Sequence, residues 1–190
     1  MYILSAVAGV LFIIGFVPYI YSILRKETKP SKVSWIIWGS LETITLAGMY
    51  AEHAVNGQII GSALGNWVIV ILAIKYGTSG WTKLDKFCLS GAVLGITLWM
   101  LFNNPTFGIM ICLGIIALGA VPTITSAWKN PSHEDKPAWT IFWISCVCAI
   151  IAIPQWTLAD AAQPIVFFVI DTIMMYVLYI HKTIQEGVLP

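Results

Sequence analysis

The chain has 190 residues, of which 58% are hydrophobic and 10% charged, with a formal net charge of +1. A soluble domain carries about 25% charged residues, so there is too little polar surface here to coat a water-soluble globule. Lipid must solvate much of the outside, and the near-neutral balance excludes a basic nucleic-acid-binding surface.

Seven apolar runs follow one another, at 2–24, 33–51, 58–75, 87–102, 106–128, 138–157 and 163–181. About 20 apolar residues cross a hydrocarbon core as a helix. The runs are continuously apolar rather than alternating, which argues against a β-barrel. Met1-Tyr2-Ile3-Leu4 lacks the basic segment of a secretory signal, so the first run is expected to be a retained helix. Pro18 lies inside it. A proline there lacks an N–H and clashes with the carbonyl four residues back, at Ile14, so the helix should kink. Arg25, Lys26, Lys29 and Lys32 follow. The second run carries Glu42 and the third Asn66, both near the middle of the membrane. Gly57, Gly61 and Gly65 recur every four residues, a spacing that lets another helix approach closely. Lys75, Lys83 and Lys86 precede the short fourth run, where Gly91 and Gly95 leave a homodimer open. The fifth run holds Pro122, placed to kink at Leu118, and ends before Lys129 and Lys136. Pro154, in the sixth, has no counterpart in the second run, and Pro164 falls in the expected first turn of the seventh, where proline is tolerated. Asp171 stands at mid-depth in that last run, and Lys182 follows it.

All ten basic residues therefore fall in alternate links or the tail. The positive-inside rule makes that side cytoplasmic, with the N-terminus outside and the C-terminus inside. The links are short and leave no extramembrane domain. The cysteines, Cys88, Cys112, Cys146 and Cys148, fall inside runs and read as small apolar residues rather than disulfide or metal partners. Trp35, Trp38, Trp139 and Trp143 lie near cytoplasmic helix ends, as belt or packing residues would. His53, His133 and His181 are placed at helix ends or in loops, as solvated residues.

A shift of 104 residues superposes the two halves. Gly15-Phe16-Val17-Pro18 meets Gly119-Ala120-Val121-Pro122, Ser22 meets Ser126, Lys32 meets Lys136 and Trp35 meets Trp139. With one inserted residue, Gln58 meets Gln163 and Asn66 meets Asp171. The expected fold is all-α with seven transmembrane helices. A three-helix repeat at 1–76 and another at 105–190 run parallel, and a linker at 77–104 contains a helix that inverts direction between them. Parallel repeats of this kind build transporters with a central site.

The plan, with Val17-Pro18-Tyr19-Ile20, the basic stretch and Ser34-Trp35, resembles the PQ-loop superfamily, which includes the SWEET and SemiSWEET transporters. Segments such as Lys29-Pro30-Ser31-Lys32-Val33-Ser34-Trp35 make it most similar to small bacterial members. The glutamine that follows the family's motif proline is replaced by Tyr19 in one half and Thr123 in the other. The resemblance implies alternating access in a bacterial inner membrane, with Pro18 and Pro122 as hinges. It implies substrate contacts from Asn66 and Asp171 on the third helix of each repeat, and from the aromatics Tyr50 and Trp156 on the second. It also leaves proton coupling through Asp171 or Glu42 open.

Buried ionisable groups in a membrane are functional candidates by default, the alternative being a satisfied interhelical hydrogen bond. No Lys or Arg lies mid-span to pair with Asp171. A carboxylate there suits a cationic or multi-hydroxyl substrate, or carries a proton. The reading is a membrane transporter of a small polar solute, whether sugar-like, vitamin-like or cationic. Its partners are that substrate and the bilayer, with no metal, cofactor or nucleic acid. The alternative is a seven-helix receptor without transport, which would need a charged cavity for a peptide terminus. A retinal photoreceptor would need a buried lysine in the last helix, and Lys182 lies at its end. No nucleophile–base pair or phosphate loop points to an enzyme.

Overall fold

The helices begin where side chains satisfy their first free N–H groups. The structure, a computed structural model, describes residues 1–27, 29–131 and 134–181, without the side chains of Leu84 and Pro122. Among these residues it is all-helical. Ser31 caps α3 (Lys32–Ala51), Asn56 caps α4 (Gly57–Tyr76), Asn104 caps α6 (Pro105–Lys129) and Asp135 caps α7 (Lys136–Ile151). Thr82 and Asp85 form a reciprocal capping box at α5 (Lys83–Phe102), which extends the fourth run upstream to 20 residues. Thr157 caps α8 (Leu158–Met175), which continues as a π-helical turn over Tyr176–His181.

The first run is broken. α1 (Tyr2–Gly15) ends at Phe16, whose N–H donates to the Ile13 carbonyl at 3.1 Å, and α2 (Val17–Leu24) restarts with Pro18 in its first turn. This is the kink that a proline unable to bond Ile14 imposes. α6, by contrast, runs unbroken through residue 122. Two expected boundaries shift. The sixth helix ends at Ile151 instead of 157, and the last begins at Leu158 instead of 163, because the turn before Pro154 and the Thr157 cap separate them. Pro164 consequently lies inside α8 and not in its first turn.

Five helices are long and apolar enough to cross a membrane: Tyr2–Leu24, Gly57–Tyr76, Asp85–Phe102, Pro105–Lys129 and Leu158–His181. The other two expected spans fall short for different reasons. α7 has 16 residues, about 24 Å at 1.5 Å per residue against a core of about 30 Å. α3 has 20 residues, but its apolar character is diluted by Glu42, four Ser or Thr residues and two Trp.

Packing follows one order in both halves. α4 lies against α1 and α3, as α8 lies against α6 and α7. Between halves, α1 packs on α7 and α3 on α6, while α5 covers α6 and part of α3. Gly91 and Gly95 of α5 are spent on this contact, facing Ile115 and Ile111 of α6, so they form no open dimer face. At one end, the Lys32 N–H donates to the Thr78 carbonyl at 2.9 Å and the Ser34 hydroxyl to Asp85 at 2.8 Å. That end carries Arg25, Lys26, Lys29, Lys32, Lys75, Lys83, Lys86, Lys129 and Lys136; Lys182 and His133 lie outside the described residues. At the opposite end the Gly57 N–H donates to Ser5 at 2.7 Å and Thr106 to Glu52 at 3.1 Å.

α1 and α4 approach with backbone nearly on backbone. A Cβ at Gly9 would fall on the Gly57 carbonyl, and one at Gly61 on the Gly9 carbonyl. The four-residue glycine spacing is thus a helix contact, with Gly65 accommodating the Phe16 ring. Gly61→Val should lower the thermal unfolding midpoint in detergent, at a cost of about 1–3 kcal/mol for overpacking. Gly114→Ala, whose Cβ meets nothing within 4 Å, should leave it unchanged. Equal midpoints for the two variants, read by intrinsic fluorescence, would refute the close contact.

Candidate functional site

A cavity of about 840 Å³ opens between the two halves. Its deep wall carries Glu42 of α3, Asn66 of α4 and Asp171 of α8, the three polar residues expected at mid-depth. Its mouth is bordered by Ser22, Ser34, Glu134, Asp135 and Ala138, all at the end that carries the basic residues. Pro18 lies on the wall beside the break in the first helix. Pro122 belongs to α6 by its backbone, and its side chain is outside the described structure.

Each buried acid sits with a neutral partner. Glu42 is 4% exposed and accepts a short hydrogen bond from the Ser62 hydroxyl, with Asn66 beside the same carboxyl. Asn66 donates to the Ser62 carbonyl at 3.2 Å. Asp171 is 6% exposed, and its Oδ2 accepts from the Cys146 thiol at 3.1 Å. Under the shift that matches Trp35 to Trp139, Cys146 is the counterpart of Glu42. The two halves therefore hold the same pair of positions with the acid exchanged between helices. The first half has an acid on α3 and an amide on α4; the second has a thiol on α7 and an acid on α8. Sequence reasoning treated Cys146 only as a small apolar residue. The signal that could have found it was the repeat register itself.

Beyond Asp171 a buried polar chain closes the opposite end. Asn56 Nδ2 donates to Gln163 Oε1 at 2.9 Å, Gln163 Nε2 to Gln58 Oε1 at 3.0 Å, and Gln58 Nε2 to Cys146 Sγ at 3.1 Å. Gln58 also reaches Ser145 at 3.3 Å, and the Ser145 hydroxyl donates to the Ala8 carbonyl at 2.7 Å. Gln58 and Gln163 are fully buried and are matched by a shift of 105 residues. They meet each other where the two halves meet.

Aromatic rings form the rest of the wall. Tyr19 and Trp35 are 5.4 Å apart between centroids, Trp35 and Phe16 6.5 Å, Phe16 and Phe142 5.3 Å, and Phe142 and Phe12 4.7 Å. Phe167 and Trp139 extend the group. Trp35, Trp38 and Trp139 pack internally, one of the two roles expected of them, and also line the cavity. Trp143 does not line it and donates to Thr172 at 3.0 Å. Tyr50 and Trp156 also lie outside it. They are 76% and 71% exposed, near the end away from the mouth, so the geometry does not bring them to the site. His53 is exposed as expected, whereas His181 stacks on Trp128 with centroids 3.9 Å apart.

Among the described residues no Lys, Arg or His lines the cavity, and the charged or ionisable groups that do are Glu42, Asp171, Glu134, Asp135 and Tyr19. Among the described residues no three His, Cys, Asp or Glu side chains converge as a metal ion would require. Comparison with protein families, with curated proteins and with solved structures finds no significant match for the chain.

The amide pair makes a thermodynamic prediction. Gln58→Leu strands the Gln163 amide among buried groups and should cost roughly 1 kcal/mol, as should Gln163→Leu. The double variant should cost less than the sum, because neither amide is then left unpaired. A double-mutant cycle of unfolding free energies measures the difference, and strict additivity would mean that the two side chains do not pair.

Proposed function

We propose that this chain is a seven-helix transporter of the SWEET-like plan, moving a small polar solute by alternating access. The observation that carries the proposal is the one-sided central cavity. It lies between halves packed in the same order, it is walled by matched positions from both, and it is sealed at the far end by the Gln58–Gln163 pair.

In this reading residues 1–76 and 105–190 are the parallel repeats, and α5 is the helix that restores their common direction. α3 and α7 complete the seven spans, their modest apolar character reflecting the wall they give to the cavity. The basic end faces the cytoplasm of a bacterial inner membrane by the positive-inside rule, and the cavity is then open inward. Glu42, Asn66 and Asp171 hold the solute. Closure of the mouth accompanies separation of Gln58 from Gln163. Pro18 and the break at Phe16 supply flexibility on one side of the mouth, and Pro122 is the equivalent position on the other.

Accessibility tests the orientation and the seal. A charged methanethiosulfonate added outside intact cells should leave Cys146 unlabelled in the natural chain. It should label Cys146 when Gln58 and Gln163 are both alanine, with Cys88, Cys112 and Cys148 replaced in each case. Thr123→Cys, at the cavity wall, should react from the cytoplasmic side alone. Labelling of Thr123→Cys from outside only would reverse the topology.

For function, purified protein in liposomes should accumulate at least one small solute. Asp171→Asn should reduce uptake at least tenfold, and Pro18→Ala should slow uptake more than it weakens binding. Wild-type uptake by Asp171→Asn would remove Asp171 from the site.

A further inference from the structure

We infer that the solute is a small organic cation, an ammonium group on an apolar body, rather than a sugar. This rests on the cavity being a solute site, as proposed above, and narrows its ligand.

The first observation is a mismatch of charge. Two carboxyl groups, each more than nine-tenths buried, border the cavity, and among the described residues no Lys, Arg or His lines it. An anion that reaches the deep wall meets two acids and, among the described residues, no base to receive it. A cation meets favourable charge at that wall.

The second observation is an unused acceptor. Asp171 accepts the Cys146 thiol at Oδ2, while its Oδ1 has no hydrogen-bond partner among the described residues. The donors around the acids are already committed. The Ser62 hydroxyl goes to Glu42, the Asn66 amide to the Ser62 carbonyl and the Glu42 carboxyl, and the Cys146 thiol to Asp171. What the deep wall offers a newcomer is mainly acceptor capacity. A sugar hydroxyl needs donors and acceptors together, whereas an ammonium group only donates or attracts.

The third observation is the wall between mouth and acids. Tyr19, Trp35, Phe16, Phe142 and Phe12 form an unbroken series of rings. Aromatic faces attract ammonium groups, and most strongly where water is excluded. They also cover an apolar body. The volume of about 840 Å³ admits a solute of that kind with its water.

Purified protein in detergent can be titrated with tetramethylammonium, choline and 2-phenylethylammonium while unfolding is followed by tryptophan fluorescence. Glucose, benzoate and 3,3-dimethylbutan-1-ol, the uncharged isostere of choline, serve as comparisons. At least one cation should raise the midpoint saturably, and its effect should exceed that of every neutral or anionic probe. Asp171→Asn places in the second half the amide that the first half already has, and should weaken that cation's apparent affinity at least tenfold. Glu42→Gln provides a second variant if Asp171→Asn fails to fold.

The inference is overturned if no cation acts saturably or if 3,3-dimethylbutan-1-ol matches choline. It is likewise overturned if the folded variants bind the cation as the natural chain does. Uptake of glucose by proteoliposomes without cation binding would refute the cation and keep the transporter. Cation binding lost in Asp171→Asn, without uptake of that cation, would refute transport and keep the cation site.

Discussion

Two glutamines placed inside a hydrocarbon-facing bundle must find partners within the protein, since lipid offers none. Gln58 and Gln163 find each other, and much of the rest depends on that contact. It ties α4 to α8 at one end of the molecule, and Ser145 ties the same group to the backbone of α1. Buried amides hold that end together, and Ser22, Ser34, Glu134 and Asp135 border the cavity at the other. The chain of donors then runs on through Cys146 to Asp171, so that the seal and the deep wall of the cavity form one hydrogen-bonded unit. In a low-dielectric interior such a unit rigidifies when every member is satisfied.

The halves share a packing order but not a chemistry. In each, one position on the second helix faces one on the third, as a carboxyl beside a neutral group. The carboxyl is Glu42 in the first half and Asp171 in the second, so the cavity receives one acid from each side. The first helices also differ. Phe16 leaves the helix before Pro18, whereas α6 runs on through residue 122. In the proposed transporter, bending begins from unequal states on the two sides. Glu42 with its Ser62 contact, and Asp171 with an oxygen open to the cavity, likewise offer unequal partners to a solute.

Much of the architecture was legible in the apolar runs, because lipid demands about 20 residues of one character and the chain has little else. The glycine spacing at 57, 61 and 65 announced a close helix contact, and the depth of Glu42, Asn66 and Asp171 announced a polar site. Other readings fell short where two physical explanations share one sequence signature. A tryptophan near a helix end suits a lipid belt or internal packing; Trp35, Trp38 and Trp139 pack internally and also line the cavity, which the signature did not announce. Gly91 and Gly95 suit a dimer face or an internal contact, and α6 occupies them. The sixth run continued in composition past Ile151, but its helix stopped before Pro154, where the chain turns towards the Thr157 cap. Tyr50 and Trp156 carried the right character at the expected spacing and stand outside the cavity.

By itself, the sequence determined that the chain is helical, that its helices are apolar enough for a membrane, and that its bases gather at alternate turns. These properties depend on local composition and on neighbours three or four residues away. Only the tertiary structure decided which polar groups meet. Gln58 and Gln163 are 105 residues apart, Glu42 and Ser62 20, and Cys146 and Asp171 25. Contact between them depends on which faces of packed helices turn inward and on which end the halves close. That choice is made jointly by backbone contacts such as Gly9 on Gly57 and by the need to pair every buried polar group, and no single run of residues contains it.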